Sequence, residues 1–251
     1  MIKSNRQIKS KPREEYRKEL DLKGVEIKGV DRFEVDHVAY LNGKGFPKSF
    51  ALRFSYPANS PNYLETYELR EFFDTYRTVM DSPTQLVKKI KASIEEAIGC
   101  KATVELVEHN CDYDILKSLP LDANHLTDKK IVHIGVPEKQ LYKMNGNKMF
   151  IHFANFSHFV DENPVYAQIE VDLVSKIIPA RDAILRYFIA HYSYKSCREK
   201  TIEKMYRDLF RFCNPQDLIL EAFYAKELGI SKSIARITKK SQRRHRRLYF
   251  Q

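Results

Sequence analysis

The chain predicts an α+β fold of two tandem modules, each an antiparallel sheet with paired helices on one face. Three observations predict it: two separate stretches of period-two alternation, two helical patterns after each, and one shared order, strand–strand–helix–helix–strand. The order and lengths of elements repeat between the modules although the residues do not.

The first module covers 33–107. A strand near Phe33–Leu41 leads through the turn Asn42-Gly43-Lys44-Gly45 into a second strand, where Phe50, Leu52, Phe54 and Tyr56 alternate with Ala51, Arg53 and Ser55. Leu69, Phe72, Phe73, Tyr76 and Met80 then share one helical face, and Leu86, Ile90, Ile94 and Ala97 another. Between them Ser82 is placed to cap a helix that starts at Pro83, and Gly99 to close it. Ala102, Val104 and Leu106 alternate as the last strand of the module.

Residues 108–148 read as an irregular connection containing one short strand, Ile131–Val136. The second module, 149–238, repeats the plan. A strand near Phe150–Ala154 precedes Val165, Ala167, Ile169, Val171 and Leu173, which alternate with Tyr166, Gln168, Glu170 and Asp172. Helical faces follow at Ile184, Leu185, Phe188 and Ile189 and at Ile202, Met205 and Leu209. Asn214-Pro215 stops the second helix before a strand near Leu218–Tyr224.

Flanking the modules are a basic N-terminal arm, 1–32, and a basic tail, 239–251, whose Leu248–Gln251 resemble a tag remnant. The formal net charge of +10 is concentrated in the first residues and in the run from Lys239 to Arg247. Such a run is either a solvated tail or a weak contact for nucleic-acid phosphates. No apolar run approaches the roughly 18 residues that span a bilayer, and the first residues show no signal-peptide core. Cys100, Cys111, Cys197 and Cys213 are scattered without a C-x-x-C pair, which fits neither a zinc site nor a disulfide framework. A cytoplasmic protein without membrane association is expected.

Several segments carry a family resemblance. They are Val38-Ala39-Tyr40-Leu41-Asn42-Gly43-Lys44-Gly45-Phe46-Pro47, Leu64-Glu65-Thr66-Tyr67-Glu68-Leu69-Arg70, Ile184-Leu185-Arg186-Tyr187-Phe188, and Thr201 to Leu209 with its continuation Arg211-Phe212-Cys213-Asn214-Pro215. In order and spacing they resemble the bimodular QueF family, NADPH-dependent 7-cyano-7-deazaguanine reductases of the tunnelling fold. The resemblance implies two tunnelling-fold modules and a homodimer or higher homo-oligomer.

Residue by residue, the resemblance implies a changed site. The family's cysteine motif, S-N-C-P-x-T-x-x-P-D-W, falls on Ala154 to Pro164, so the nucleophile becomes Phe156 and the assisting aspartate becomes Asn163. A thioimide adduct needs a thiolate, which phenylalanine cannot supply. Cys197 is the alternative, a displaced nucleophile. The Ser-Lys pair that meets NADPH falls on Thr66 and Tyr67, and the stretch Tyr-Thr-Arg-Arg-Gly-Gly on Tyr224 to Gly229, with Glu227 in place of an arginine. No cofactor and no metal is therefore expected.

The purine contacts are kept by resemblance: Glu65, flanked by Leu64 and Thr66, in the first module, and Glu199 in the second. A carboxylate accepts both the ring N–H and the exocyclic amine of a guanine-like edge. Taken alone, Glu65 also reads as an acid near a helix N-terminus and Glu199 as a helical surface charge. Arg198 stands where the family has a histidine beside the nitrile carbon. Its planar fork suits a carboxylate, although it also reads as a solvated helix residue.

These substitutions favour a QueF-like enzyme that decarboxylates 7-carboxy-7-deazaguanine to 7-deazaguanine, resembling the phage branch linked to DNA modification. Such an enzyme needs an acid near C7. His158, with an ordinary pKa near neutrality, is the first choice and Asp161 the second, Arg198 orients the carboxylate, and Phe156 keeps the pocket dry. The alternatives are a non-catalytic 7-deazapurine binder or partner of a base-inserting enzyme, and a reductase with another nucleophile.

Overall fold

A computed structural model describes residues 7–107, 114–115, 137–239 and 246–247. Its first elements are β1 (Ser10–Pro12), α1 (Arg13–Leu20), β2 (Gly29–Leu41), β3 (Pro47–Pro57), β4 (Asn62–Leu64), α2 (Thr66–Asp74) and α3 (Pro83–Ile98). Next come β5 (Thr103–Val107), the two-residue β6 (Asp114–Ile115), β7 (Lys143–Asn145), β8 (Lys148–Val160), β9 (Asn163–Val174) and β10 (Ile177–Pro179). The chain continues with α4 (Arg181–Ile189), α5 (Arg198–Cys213), β11 (Asp217–Glu227), β12 (Ile230–Ile237) and β13 (Arg246–Arg247). The strand expected at Ile131–Val136 and the terminal Leu248–Gln251 lie outside the described residues.

The chain forms two compact units. The first comprises Met1–Tyr16, Val30–Tyr113 and Lys226–Ser233, and the second Arg17–Gly29, Asp114–Ala225 and Ile234–Gln251. Both are mixed α+β with antiparallel strands.

In the first unit β3 lies between β2 and β5, antiparallel to both. Phe33, Val35, Leu52 and Phe54 from the strands meet Leu69, Phe73, Leu86 and Ile90 from α2 and α3 in one apolar core. The caps form as expected: Ser82 Oγ accepts from the Gln85 N–H at 3.3 Å, and Gly99 closes α3 in the left-handed region at φ 72°. Met80 departs from its expected helical face. The helix gives way to a 3₁₀ turn at Thr75–Thr78, and Met80 lies exposed in a bridge to Leu41.

Part of the segment expected to form a basic arm, from Ile8 to Leu20, is built into the fold instead. Ser10–Pro12 pair with β4, and Arg13 is wholly buried against Asp31, with hydrogen bonds to Ser60 and Tyr16. Charge density marked this segment as tail-like, but paired buried ions and the apolar Ile8 and Tyr16 hold it in place.

In the second unit β9 lies between β8 and β11. Ile169, Val171, Leu173, Leu218 and Leu220 pack against Ile184, Phe188, Ile202 and Leu209 of α4 and α5. A charged cluster is buried beside this core: Glu203 accepts from Arg17 at 2.7–2.8 Å and from Arg236 at 3.0–3.2 Å.

The duplication is closer than the sequence showed. The helices match in length, nine residues in α2 and α4 and sixteen in α3 and α5. Each sixteen-residue helix ends on a left-handed residue, Gly99 or Asn214. Each long hairpin carries the same bulge: Asp36 and His37 together oppose Ala51 on β3, and Ala154 and Asn155 together oppose Gln168 on β9.

Candidate functional site

The segment aligned with the cysteine motif is not a loop. β8 continues through it to Val160, and a tight turn at Asp161-Glu162 returns the chain as β9. The bulge decides where its side chains point. Met149, Ile151 and Phe153 face the helices, and one extra residue at Ala154–Asn155 reverses the parity. Phe156 and His158 therefore turn towards the buried side, at 1% and 0% exposure.

Around them gathers a cluster drawn from β8, β11, the turn after α4 and the start of α5. The Phe156 ring centroid lies 5.7 Å from that of His158 and 6.2 Å from that of His191. His158 Nδ1 lies 3.2 Å from the Phe159 carbonyl, which can only accept, so Nδ1 carries the proton. Nε2 is then the acceptor for the Tyr224 hydroxyl at 3.1 Å. The Arg198 guanidinium sits 5.4 Å from the Tyr224 ring centroid at the first position of α5, with the fully buried Glu199 next in sequence. The Tyr224 hydroxyl is pushed well above its ordinary pKa by burial, while Arg198 opposes the shift and Glu199 adds to it.

Burial also corrects the expected role of His158. Desolvation, reinforced by the positive charge of Arg198, pulls its pKa down to about 3, so the imidazole is neutral near pH 7. The expectation of an ordinary titrating acid assumed solvent access that the bulge removes. Asp161, the second choice, is an exposed residue at φ 53° in the hairpin turn, and the adjacent Glu162 pairs with Lys195. It is set by the turn, not by the buried cluster.

A consequence is measurable. The unfolded imidazole takes up a proton near pH 6.5 and the folded one only near pH 3. Between those values the unfolded chain binds one more proton, so stability falls as the pH falls through that window. Acidification from pH 7 to pH 5 is expected to cost about 2 kcal/mol through this residue alone. Urea midpoints of the parent and of His158→Gln at both pH values test this. An equal acid sensitivity in both proteins overturns it.

The other half of the expected ligand contacts lies in the first unit. Leu64 ends β4, Glu65 is the N-cap residue of α2, and Thr66 begins that helix, buried. The Glu65 side chain makes no capping bond, and Lys11 Nζ lies 3.7 Å from its Oε1. Glu65 and Glu199 are therefore not symmetry counterparts: one precedes the short helix of its module and the other opens the long helix. Their sequence alignment to one family role hid this difference of position.

Tyr224, Thr201 and His191 complete the second-unit cluster. Thr201 Oγ lies 3.4 Å from His158 Nδ1, and His191 Nδ1 donates to the Tyr187 carbonyl at 2.9 Å. The alternation Leu218, Leu220, Ala222, Tyr224 carried the signal for Tyr224, because a phenol on the apolar face needs a polar partner. Cys197 is half-buried as the N-cap residue of α5, whereas Cys213 is buried with its thiol pushed up to about 12.

The residues aligned with the NADPH contacts do not fit a dinucleotide phosphate. Tyr67 is an exposed phenol, Lys226 is paired with Asp36 at 2.8 Å, and Glu227 presents a carboxylate. Among the described residues no group of three His, Cys, Asp or Glu side chains is arranged to hold a metal ion, and no helix is long and apolar enough to cross a membrane.

Residues 4–106 match the family described as "Nitrile reductase, 7-cyano-7-deazaguanine-reductase N-term". Over 92% of its length the chain is 23% identical to the NADPH-dependent 7-cyano-7-deazaguanine reductase of Acinetobacter baumannii strain ATCC 17978, covering 85% of that protein. Over 87% of its length it is 25% identical to the reductase of the same name from Cupriavidus metallidurans, covering 82% of it. The chain is thus similar, over most of its length, to two proteins of that name.

Proposed function

We propose that the protein is a QueF-like enzyme that binds a guanine-like 7-deazapurine and removes a carboxylate from its C7, without a thiol adduct and without hydride transfer. One observation carries the reading. A nearly buried guanidinium, Arg198, lies over the Tyr224 ring beside the buried Glu199, while a phenylalanine occupies the position aligned with the attacking cysteine. Glu199 suits the N–H and amine edge of the base, and Arg198 suits the carboxylate. Glu65 is assigned a second purine contact on the family alignment alone, to be tested separately.

In this reaction the bond from C7 to the carboxylate breaks, its electron pair stays on C7 and takes a proton, and carbon dioxide leaves. His158 is neutral in the ligand-free protein, so it is not a ready acid. A carboxylate bound near Arg198 raises the pKa of that imidazole and lets it carry a proton at the place where one is needed. Phe156 excludes water from that side. The product serves nucleic-acid modification on this reading, consistent with the resemblance to the phage branch.

The test is product mass. Purified protein is incubated with 7-carboxy-7-deazaguanine and with the 7-cyano base, each with and without NADPH. Loss of carbon dioxide from the carboxy base without cofactor supports the proposal. Binding without turnover supports a carrier or a partner of a base-inserting enzyme. Hydrogen uptake by the cyano base with NADPH overturns the proposal in favour of reduction, the activity that the relatives are named for, with Cys197 as the thiol to replace first.

A further inference from the structure

We infer that Lys232 and Tyr56 form a side-chain clamp on the Leu64 peptide and thereby position Glu65; the inference rests on reading Glu65 as a purine contact. Both backbone polar groups of Leu64 are engaged by buried side chains. Its N–H donates to the Tyr56 hydroxyl oxygen at 3.0 Å, and its carbonyl accepts from Lys232 Nζ at 2.9 Å. Lys232 is 3% exposed, and its ammonium lies 5.0 Å from the centroid of Phe33, which in turn stacks on Phe54 at 4.7 Å.

Placing an ammonium there is expensive. A charge taken out of water is tolerated only with strong hydrogen bonds and a favourable field, here a carbonyl and an aromatic face. An apolar side chain would serve the core of this unit at lower cost. The ammonium donates to the carbonyl of Leu64, the peptide that leads into Glu65. Glu65 has the extended backbone of an N-cap residue, φ −93° and ψ 146°, yet its carboxylate does not cap the helix. The usual device for orienting an N-cap side chain is therefore not in use. The Glu65 carboxylate has Lys11 Nζ 3.7 Å away, and the backbone that carries it follows a peptide that Tyr56 and Lys232 hold from β3 and β12. Lys232 is thus a positioning residue that acts through Glu65.

Lys232→Met keeps the stem and removes the ammonium, and Lys232→Arg restores a cation should methionine unsettle the core. The first readout is amide hydrogen exchange, which needs no ligand. Lys232→Met is expected to speed exchange at Leu64, Glu65 and Thr66 about tenfold or more, the loss of one charge-assisted hydrogen bond, while the core of α3 keeps its protection. The second readout is the affinity for 7-deazaguanine, the probe lacking any C7 substituent. Lys232→Met should weaken it about tenfold when Glu65 is present and leave it unchanged in Glu65→Gln, with Lys232→Arg intermediate. Unchanged local exchange in Lys232→Met overturns the clamp. So does an affinity loss of equal size in both Glu65 backgrounds. A parent protein that fails to bind 7-deazaguanine sinks the purine reading instead, and the exchange experiment still decides whether the clamp exists.

Discussion

Arg198→Met is expected to weaken binding of 7-carboxy-7-deazaguanine by roughly thirty- to several-thousand-fold and to leave binding of 7-deazaguanine almost unchanged. Truncating one partner of a buried, hydrogen-bonded charge pair typically costs about 2–5 kcal/mol, and each 1.4 kcal/mol is a factor of ten. Methionine keeps apolar contact with the Tyr224 ring, so the loss falls on the charge. The comparison of two ligands isolates the carboxylate, because only one of them carries it. Calorimetric titration of both bases into both proteins supplies the measurement. If the two affinities fall together, Arg198 shapes the pocket and does not read a carboxylate. If neither falls, the proposed ligand chemistry is wrong.

Glu203→Ala is expected to destabilise the fold by about 3–5 kcal/mol, the range for removing one partner of a buried ion pair. Glu203 and Arg236 are both fully buried, and the same carboxylate also receives the Nε and Nη2 of Arg17. Its removal takes the residue-203 counter-charge from the buried Arg236 guanidinium, whose Nη1 also donates to the Ala235 carbonyl at 3.0 Å. For a chain of this size the melting temperature should drop by about 6–20 °C. Arg17→Met should cost less, because Arg17 keeps partial contact with water. Thermal unfolding followed by circular dichroism tests the order. An alanine variant within a degree or two of the parent would show that the cluster is dispensable.

Much of the fold was legible in local pattern. Alternation at 165–173 and at 50–56, Ser82-Pro83 at a helix start and Gly99 at its end all depend on a few neighbouring residues, and all appear where expected. Met80 was misread because the apolar period continued past the point where the helix tightened into a 3₁₀ turn. The N-terminal segment was misread because charge density does not report whether an arginine such as Arg13 has a buried partner like Asp31.

Of the residues expected at the site, Leu64, Glu65 and Thr66 lie in the first unit and Asp161 in an exposed turn of the second. Alignment to the family motif singled out Phe156, His158, Arg198 and Glu199, and the fold gathers the surroundings of all four about Tyr224 and His158 within the second unit. What no local pattern could show was the state of His158. That state follows from one extra residue in β8, which turns the ring inward, away from solvent and towards Tyr224.

The amino-acid sequence by itself determined the α+β plan and the repeat of that plan. These rest on residue identity and on periods of two and 3.6, which are short-range properties of the chain. Only the tertiary structure decided the paired bulges, the neutral imidazole, the buried ammonium on Leu64 and the unequal places of Glu65 and Glu199. Each of those depends on which side chains and how much water surround a group, and residues distant in sequence supply those surroundings.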